Sequence, residues 1–426
     1  MNRFRKWMAG DPEGMTEKEL ERRHMFWNMV GSFVYAFASM VLTAMVNHII
    51  GEDQGGIFAF AFGTFGQQMF TVAYFGIRPY QITDINRKYS FGDYLALRFA
   101  TCAAAILVGI GYVAVSGYSR MKTLVILLMV CYKVIDGFAD VYEAEFQRDG
   151  RLYLTGKSNT FRTLLSVVSF LGTLYLTRDL VLASGVAVLA QVAGVLLFNV
   201  AVIGAVPGVV WKFDKKHCLL LARDCSLLFF SVFLDLYIFS SAKYAINRQF
   251  ADSANAVSTA IFMPTSVINL AAGFVIRPFL TKLSYRWEQR QLEDFGNIIG
   301  KIFVIIICLT LICVGGAWVL GVPVLGMIFN VDLKPYKLGL ILSIMGGGFN
   351  AMLNLFYYVL VIMKKQRDIF IGYALVCGVA LLLSPALVRA GGINGGAVSY
   401  LILMILVTLC FAGASMVVFR REARRR

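Results

Sequence analysis

Apolar runs of roughly 20 residues recur along the whole chain, and this feature restricts the fold more than any other. A helix of that length crosses the hydrocarbon core of a bilayer, which is about 30 Å thick. Of the 426 residues, 58% are hydrophobic and only 15% are charged, too few to cover a soluble protein of this size. The sequence therefore predicts an all-α integral membrane protein of twelve transmembrane helices, at about residues 26–49, 56–80, 93–115, 122–146, 157–177, 180–206, 222–246, 255–281, 298–320, 337–362, 367–388 and 396–418.

A six-residue motif at the end of the second span occurs again in the second half of the chain. Residues 75–80 read FGIRPY and residues 274–279 read FVIRPF, an offset of 199. A second pair, 151–156 (RLYLTG) and 367–372 (RDIFIG), lies between spans four and five and between spans ten and eleven. Matches at corresponding places in two similar layouts indicate an internal duplication. Because each half has six spans, the two halves share one orientation and form a parallel repeat.

The duplication divides the chain into five predicted segments. They are a cytosolic N-terminal segment at 1–25, an N-terminal six-helix lobe at 26–210, a cytosolic inter-lobe linker at 211–223, a C-terminal six-helix lobe at 224–418 and a basic cytosolic tail at 419–426. In the first segment, Thr16 and Glu19 have the spacing of a capping box, which predicts the start of a helix.

The basic residues are distributed unequally between the two sides of the predicted membrane layout. With the N-terminus inside, 31 of the 40 Lys and Arg residues fall in inner segments and seven in outer loops, while Lys133 and Lys243 lie within spans. Basic residues concentrate on the cytosolic side of multi-span proteins, so both termini are predicted to be cytosolic. This topology accounts for the net charge of +15 without a nucleic-acid partner.

Motifs for catalysis or cofactor binding are weak throughout the sequence. The eight cysteines form no Cys-x-x-Cys pair and only three histidines are present, so neither a metal site nor a cofactor is predicted. Residues 156–158 (GKS) resemble the end of a phosphate-binding loop, but the glycine that this motif needs at position 151 is Arg151. No Ser/His/Asp set or paired carboxylates stand out on an outer loop. The sequence therefore predicts no catalytic residue and no enzyme.

The fourth span carries four ionisable residues: Lys133, Asp136, Asp140 and Glu143. Their spacings of three, four and three place them on one face of a helix. Lys133 lies about 16 Å below the outer end of the span, near the bilayer centre. One interpretation is that this face lines a cavity, since ionisable residues within a membrane are functional by default. The alternative is a structural pair of Lys133 and Asp136, with Asp140 and Glu143 near the cytosolic surface.

The seventh span carries Asp235 near its middle and Lys243 eight residues later, on about the same face. Asp235 is the sharpest single candidate for coupling transport to protons or cations. The alternative for Asp235 is a salt bridge to Lys133 across the two halves.

Arg78 and Arg277 occupy equivalent places at the predicted cytosolic ends of spans two and eight. Arginines at such ends often anchor helices by the positive-inside rule. The alternative is a two-sided basic mouth for an anionic headgroup, because arginine binds phosphate through two parallel hydrogen bonds.

The Arg-Pro ends of spans two and eight, the basic turn at 146–151 (FQRDGR) and Arg162 resemble the multidrug/oligosaccharidyl-lipid/polysaccharide (MOP) exporter superfamily. Within it, the chain looks most similar to the polysaccharide transporter, or Wzx-like O-antigen flippase, branch. The resemblance implies two six-helix bundles forming a V around a central cavity, with spans one, two, seven and eight lining much of it and Asp235 facing it. It also implies that the substrate is an undecaprenyl-pyrophosphate-linked oligosaccharide, moved from the cytosolic to the outer leaflet.

Together, the residues and the resemblance predict a multi-pass flippase of the bacterial cytoplasmic membrane, working by alternating access in surface polysaccharide biosynthesis. The candidate substrate-binding residues are Arg78, Arg277, Lys133 and Lys243, and the candidate ion-coupling residues are Asp235, Asp136 and Asp140. The predicted partners are the lipid-linked oligosaccharide, membrane lipids and a polysaccharide polymerase or glycosyltransferase, and the protein is predicted to be monomeric. The first alternative is an ion-coupled multidrug antiporter of the same fold. A peptidoglycan-precursor flippase and a polytopic glycosyltransferase or polymerase rank lower.

Overall fold

A computed structural model describes Phe4, Trp7, Met8 and residues 16–84 and 86–424. Five basic residues that the sequence places at the cytosolic termini lie outside this described part: Arg3, Arg5, Lys6, Arg425 and Arg426. Within the described part every regular element is helical. The α-helices are α1 Glu17–Ile50, α2 Glu52–Phe58, α3 Gly66–Tyr74, α4 Ile77–Thr83, α5 Phe91–Ser116, α6 Arg120–Arg148, α7 Leu152–Thr177, α8 Leu180–Val195, α9 Ala201–Ile203, α10 Lys215–Gln249, α11 Ser253–Glu288, α12 Leu292–Gly316, α13 Val322–Phe329, α14 Lys337–Ile362 and α15 Gln366–Ala423.

Wider π-helical turns join some of these helices into longer runs, at Ala59–Phe65, Leu196–Val200 and Ala317–Gly321. Among the described residues, nine helices or joined runs are long and apolar enough to cross a membrane. α6 is not one of them, and it carries the four ionisable residues of the predicted fourth span. α15 covers predicted spans eleven and twelve and is broken at Gly392, whose φ of 58° and ψ of −138° are not helical. The all-α membrane fold class is confirmed, whereas the count of twelve helices stays a prediction.

The chain forms two compact units, Met1–Phe229 and Phe230–Arg426. The division falls inside α10, which begins at Lys215, within the predicted linker. The exact bounds of the two six-helix lobes stay predictions.

α1 begins where the sequence predicts a helix start. The Thr16 side chain accepts from the Glu19 backbone N–H, and the Glu19 carboxylate accepts from the Thr16 backbone N–H at 3.0 Å. This reciprocal capping box satisfies two backbone donors that a helix start otherwise leaves unpaired. The predicted short cytosolic helix is therefore the first part of α1, continuous with the first span.

The two copies of the Arg-Pro motif adopt different structures. In the first unit, Phe75 and Gly76 have φ values of 49° and 66°, so α3 ends there and Arg78 lies in the first turn of the short helix α4. In the second unit the same motif continues without a break inside α11, which contains Arg277 and Pro278. Glycine tolerates a positive φ, whereas the equivalent Val275 is β-branched and strongly disfavours it. The glycine at position 76 is compatible with the break, whereas Val275 favours a continuous helix.

The helix α6, which carries the ionisable residues of the predicted fourth span, lies in the middle of its unit. α6 packs against α3, α4, α5, α7 and α8. Its residues Lys133, Asp136, Asp140 and Glu143 are all buried, between 2% and 7% exposed. Surrounding helices therefore shield these charges from lipid, where they would be costly.

α14 occupies the corresponding place in the second unit and packs against α11, α12 and α15. It carries Gly346, Gly347 and Gly348. A Cβ atom on each would lie 2.4–3.1 Å from a neighbour on a different helix: Tyr400, Thr265 and Thr310, respectively. The three glycines therefore permit close helix packing on three sides.

Candidate functional site

The carboxylates of α6 meet arginines from three neighbouring helices. Arg162 of α7 donates to both Asp136 and Glu143, with 3.1 Å between its Nη2 and Oε1 of Glu143. The hydroxyl of Tyr35 on α1 donates to the other oxygen of Asp136 at 2.8 Å. Asp136 is therefore held from two sides, by a cation and by a phenol.

Asp140 is held by two further arginines. Arg78 Nη1 lies 2.5 Å from Oδ1 of Asp140, and Arg98 Nη2 lies 3.0 Å from Oδ2. Arg78 also donates to Gln147 at 3.0 Å and lies 3.8 Å from Glu143. Arg98 donates to the Ala73 carbonyl at 2.5 Å, at the end of α3. The contacts of Arg78 and Arg98 tie α4 and α5 to α6, and the contacts of Arg162 tie α7 to it.

These six residues form what we call the α6 charge cluster: Asp136, Asp140, Glu143, Arg78, Arg98 and Arg162. Three carboxylates face three guanidinium groups, so the cluster is balanced when all six are ionised. Arg98 and Arg162 are 0% and 2% exposed. Removing one member of such a buried set leaves an uncompensated charge, which is strongly destabilising.

The α6 charge cluster differs from the structural alternative considered from the sequence. Asp136 pairs with Arg162 instead of Lys133, because Arg162 enters from α7 directly against it. Asp140 and Glu143 are buried rather than at a surface. Asp136 and Asp140, both candidates for ion coupling, are thus in salt bridges. The guanidinium of Arg78, a candidate for substrate binding, is bound to residues of this cluster.

Lys133 lies next to the cluster but outside its salt bridges. Its ammonium sits 4.0 Å from the centre of the Phe62 ring and 5.6 Å from that of Tyr35. Among the described residues of the first unit, it forms no hydrogen bond and no salt bridge. Aromatic faces stabilise a cation without neutralising it. Lys133 is therefore a surplus positive charge in the first unit, 2% exposed.

The second unit has a smaller polar set on α10. Asp235 accepts a hydrogen bond from Tyr373. The side chains of Tyr357 and Tyr400 lie close enough to interact with its charge. Lys243 lies about 12 Å further along the helix. Its ammonium is 5.4 Å from the Phe239 ring and 5.2 Å from the Phe262 ring. Both side chains are half-buried, and neither forms a salt bridge within the described residues of this unit.

A hydrogen-bond pattern fixes which residues of α6 and α14 correspond. The turn after α6 has a left-handed Gly150 followed by α7 at Leu152, and the turn after α14 has a left-handed Lys364 followed by α15 at Gln366. Both turns contain the same backbone bonds, such as Arg151 N–H to the Phe146 carbonyl and Lys365 N–H to the Leu360 carbonyl. The structural offset is therefore 214, two fewer than the sequence match of 151 with 367 indicates.

At the structural offset, the carboxylates of the α6 charge cluster have neutral counterparts. Asp136 corresponds to Asn350, Asp140 to Asn354 and Glu143 to Tyr357. Arg277, the repeat partner of Arg78, is exposed on α11 and forms no salt bridge among the described residues. Of the two equivalent arginines, Arg78 is neutralised within its unit and Arg277 is not.

Sequence reasoning missed three members of this arrangement. Arg98 is one of the 31 basic residues that the sequence assigns to inner segments, yet α5 begins at Phe91 after a Ser90–Asp93 capping box, which places Arg98 two turns inside the helix. The Ser90–Asp93 spacing in the sequence could have indicated this helix start. Arg162 entered only through a family resemblance, and Tyr35 had no distinguishing signal in its apolar run.

No family model matches this chain, and no curated protein matches it. Solved structures do match over nearly its whole length. A MATE transporter from Vibrio cholerae, VcmN in its bent form, is 13% identical with a TM-score of 0.60, covering 99% of both chains. The lipid II flippase MurJ in an inward closed conformation is 12% identical with a TM-score of 0.64, covering 95% of this chain and 90% of MurJ. A MOP superfamily transporter from Pyrococcus furiosus, described as having a binding pocket of reverse polarity, is 13% identical with a TM-score of 0.56, covering 97% and 98%. The chain therefore has the fold of these transporters.

Proposed function

We propose that this protein is a flippase for a lipid-linked oligosaccharide that carries a pyrophosphate, acting by alternating access in the bacterial cytoplasmic membrane. The observation that carries the proposal is the excess of cations within the spans. The α6 charge cluster has no net charge, because its three arginines pair with its three carboxylates. Lys133 next to it adds one positive charge. In the second unit, Lys243 lies on the same helix as the carboxylate Asp235, and Arg277 forms no salt bridge among the described residues of that unit. An anionic substrate complements this surplus charge.

The balance of charge also separates this proposal from its main alternative. A multidrug antiporter that carries organic cations should favour an acidic cavity, whereas the proposed site residues here include more cations than carboxylates. The fold is shared with both drug transporters and a lipid flippase, so the fold supports transport in general and the charge supports the anionic substrate. We assign Arg78 a positioning role, while Arg277, Lys133 and Lys243 are the proposed pyrophosphate-binding residues.

The proposed activity is tested by leaflet accessibility in proteoliposomes. An undecaprenyl-pyrophosphate-linked oligosaccharide is placed in the inner leaflet, and exposure of its sugar to an external probe is followed with and without the protein. We expect protein-dependent exposure. Absence of exposure, together with export of a cationic dye under an ion gradient, would contradict the flippase proposal and favour the multidrug antiporter.

Asp235 is the proposed coupling residue, since it is a half-buried carboxylate near the middle of the long apolar helix α10 and forms no salt bridge among the described residues of its unit. Asp235→Asn keeps the shape and still accepts from Tyr373, so the protein is expected to fold normally. Flipping should lose its response to an imposed proton gradient, which for one coupled proton is worth up to about ten-fold per pH unit. Asp332→Asn, an exposed carboxylate in the same unit, is the matched control. A gradient response that persists unchanged in Asp235→Asn would remove the coupling role.

A further inference from the structure

A second group of cations in the unit Phe230–Arg426 surrounds a cavity of about 440 Å³. Three separate parts of the chain meet there: the α11–α12 turn, the α14–α15 turn and the last turns of α15. Its lining residues are Trp287, Glu288, Arg290, Ile362, Met363, Lys364, Lys365, Val418, Arg421 and Glu422. All three parts lie on the predicted cytosolic side. The volume is within the range of about 300–1,000 Å³ that is usual for small-ligand sites.

The cavity has a surplus of positive charge. Four cations line it, Arg290, Lys364, Lys365 and Arg421, against two carboxylates. One carboxylate, Glu422, pairs with Arg290 at 3.4 Å. Lys364, Lys365 and Arg421 are exposed and form no salt bridge within the described part of the chain. Their charges are therefore available to an anion.

The turn geometry does not account for the cations at these positions. Lys364 and Arg290 have φ values of 59° and 56°, a conformation that favours glycine. The structural counterpart of Lys364 in the first unit is Gly150, with a φ of 74°. Non-glycine residues with such strained backbone conformations cluster at functional sites. Lys364 and Arg290 therefore carry a charge where a glycine would fit the backbone better.

The rest of the lining suits a lipid headgroup. Trp287 packs against Phe295 at 5.1 Å beside the apolar Ile362 and Val418. Tryptophan is enriched where the bilayer meets water. The lining thus combines basic side chains with apolar ones.

We propose that this cavity binds the phosphodiester headgroup of an anionic glycerophospholipid from the cytosolic leaflet. Basic pockets between spanning helices on this side of a membrane bind such headgroups. The ligand chemistry is that of a phosphate, so a soluble phosphate is the other source to distinguish. None of the cavity residues belongs to the proposed flipping site, and the two proposals succeed or fail independently.

The experiment titrates the purified full-length protein in neutral detergent and counts bound lipid by native mass spectrometry. The probes are phosphatidylglycerol, phosphatidylcholine and inorganic phosphate. We expect phosphatidylglycerol to bind the parent protein. We expect the triple variant Lys364→Gln, Lys365→Gln, Arg421→Gln to bind it at least about ten-fold more weakly. The matched control removes three exposed cations of the same unit outside the cavity, Lys282→Gln, Lys301→Gln and Arg420→Gln. The control should remain within about two-fold of the parent.

Four outcomes overturn the proposal, the last of them with a substitute variant. Equal weakening in the control would show diffuse surface attraction, and equal binding of phosphatidylcholine would show that the headgroup charge is not recognised. Displacement of the lipid by millimolar inorganic phosphate would assign the cavity to a soluble anion. If the triple variant fails to elute as folded protein, the single Arg421→Gln variant replaces it, and undiminished phosphatidylglycerol binding there contradicts the proposal.

Discussion

Replacing Arg162 with methionine is expected to lower the stability of the protein by about 3–5 kcal/mol. Arg162 is 2% exposed and is shared by Asp136 and Glu143, so its loss leaves two buried carboxylates without their main counter-charge. Methionine retains much of the volume, so the expected loss is electrostatic rather than a cavity effect. The measurement is thermal and denaturant unfolding of the purified protein in detergent.

Two further variants separate charge from packing. Arg120→Met, an exposed arginine at the start of α6, should change stability by less than about 0.5 kcal/mol. The triple variant Arg162→Met, Asp136→Asn, Glu143→Gln removes the unpaired charges as well and should recover most of the loss. A single variant as stable as the parent, or a triple variant no better than the single one, would contradict the α6 charge cluster as a source of stability.

The fold class follows from the sequence because a bilayer admits few structures. Backbone groups in lipid must be satisfied internally, so a recurring apolar run of about 20 residues predicts a spanning helix. The break between α3 and α4 does not follow so readily. FGIRPY and FVIRPF look equivalent as motifs, yet Phe75 and Gly76 adopt the left-handed conformation, which glycine favours and the equivalent Val275 disfavours. A single backbone preference outweighs the similarity of the other residues.

The candidate site was predictable in part. The spacing on α6 correctly places Lys133, Asp136, Asp140 and Glu143 on one helical face, since 3.6 residues per turn fixes that geometry. The arginine partners of these carboxylates depend on how deep each arginine lies and on which helices pack together. A local sequence pattern predicts neither. Arg98 illustrates the point: it is two turns inside α5, although its charge made a cytosolic position the simpler interpretation.

Substituting glutamine for Arg277 is expected to slow flipping by about ten- to a hundred-fold while leaving the protein folded. A hydrogen bond to a charged group contributes about 1.5–3 kcal/mol, which corresponds to that range. Arg277 is exposed and outside any salt bridge in the described residues, so its removal should cost little stability. The proteoliposome assay measures the rate, and unfolding in detergent measures the stability.

The repeat supplies the contrasting variant. Arg78→Gln removes a partner that lies 2.5 Å from the buried Asp140, so it should destabilise the first unit, whereas Arg277→Gln should not destabilise the second. Lys282→Gln, an exposed cation further along α11, controls for general loss of charge. Arg277→Lys keeps the charge but cannot make two parallel hydrogen bonds, so its rate should fall between those of Gln and the parent. Normal flipping by Arg277→Gln would reduce Arg277 to an anchor at the membrane surface, because a pyrophosphate-binding arginine cannot be dispensable.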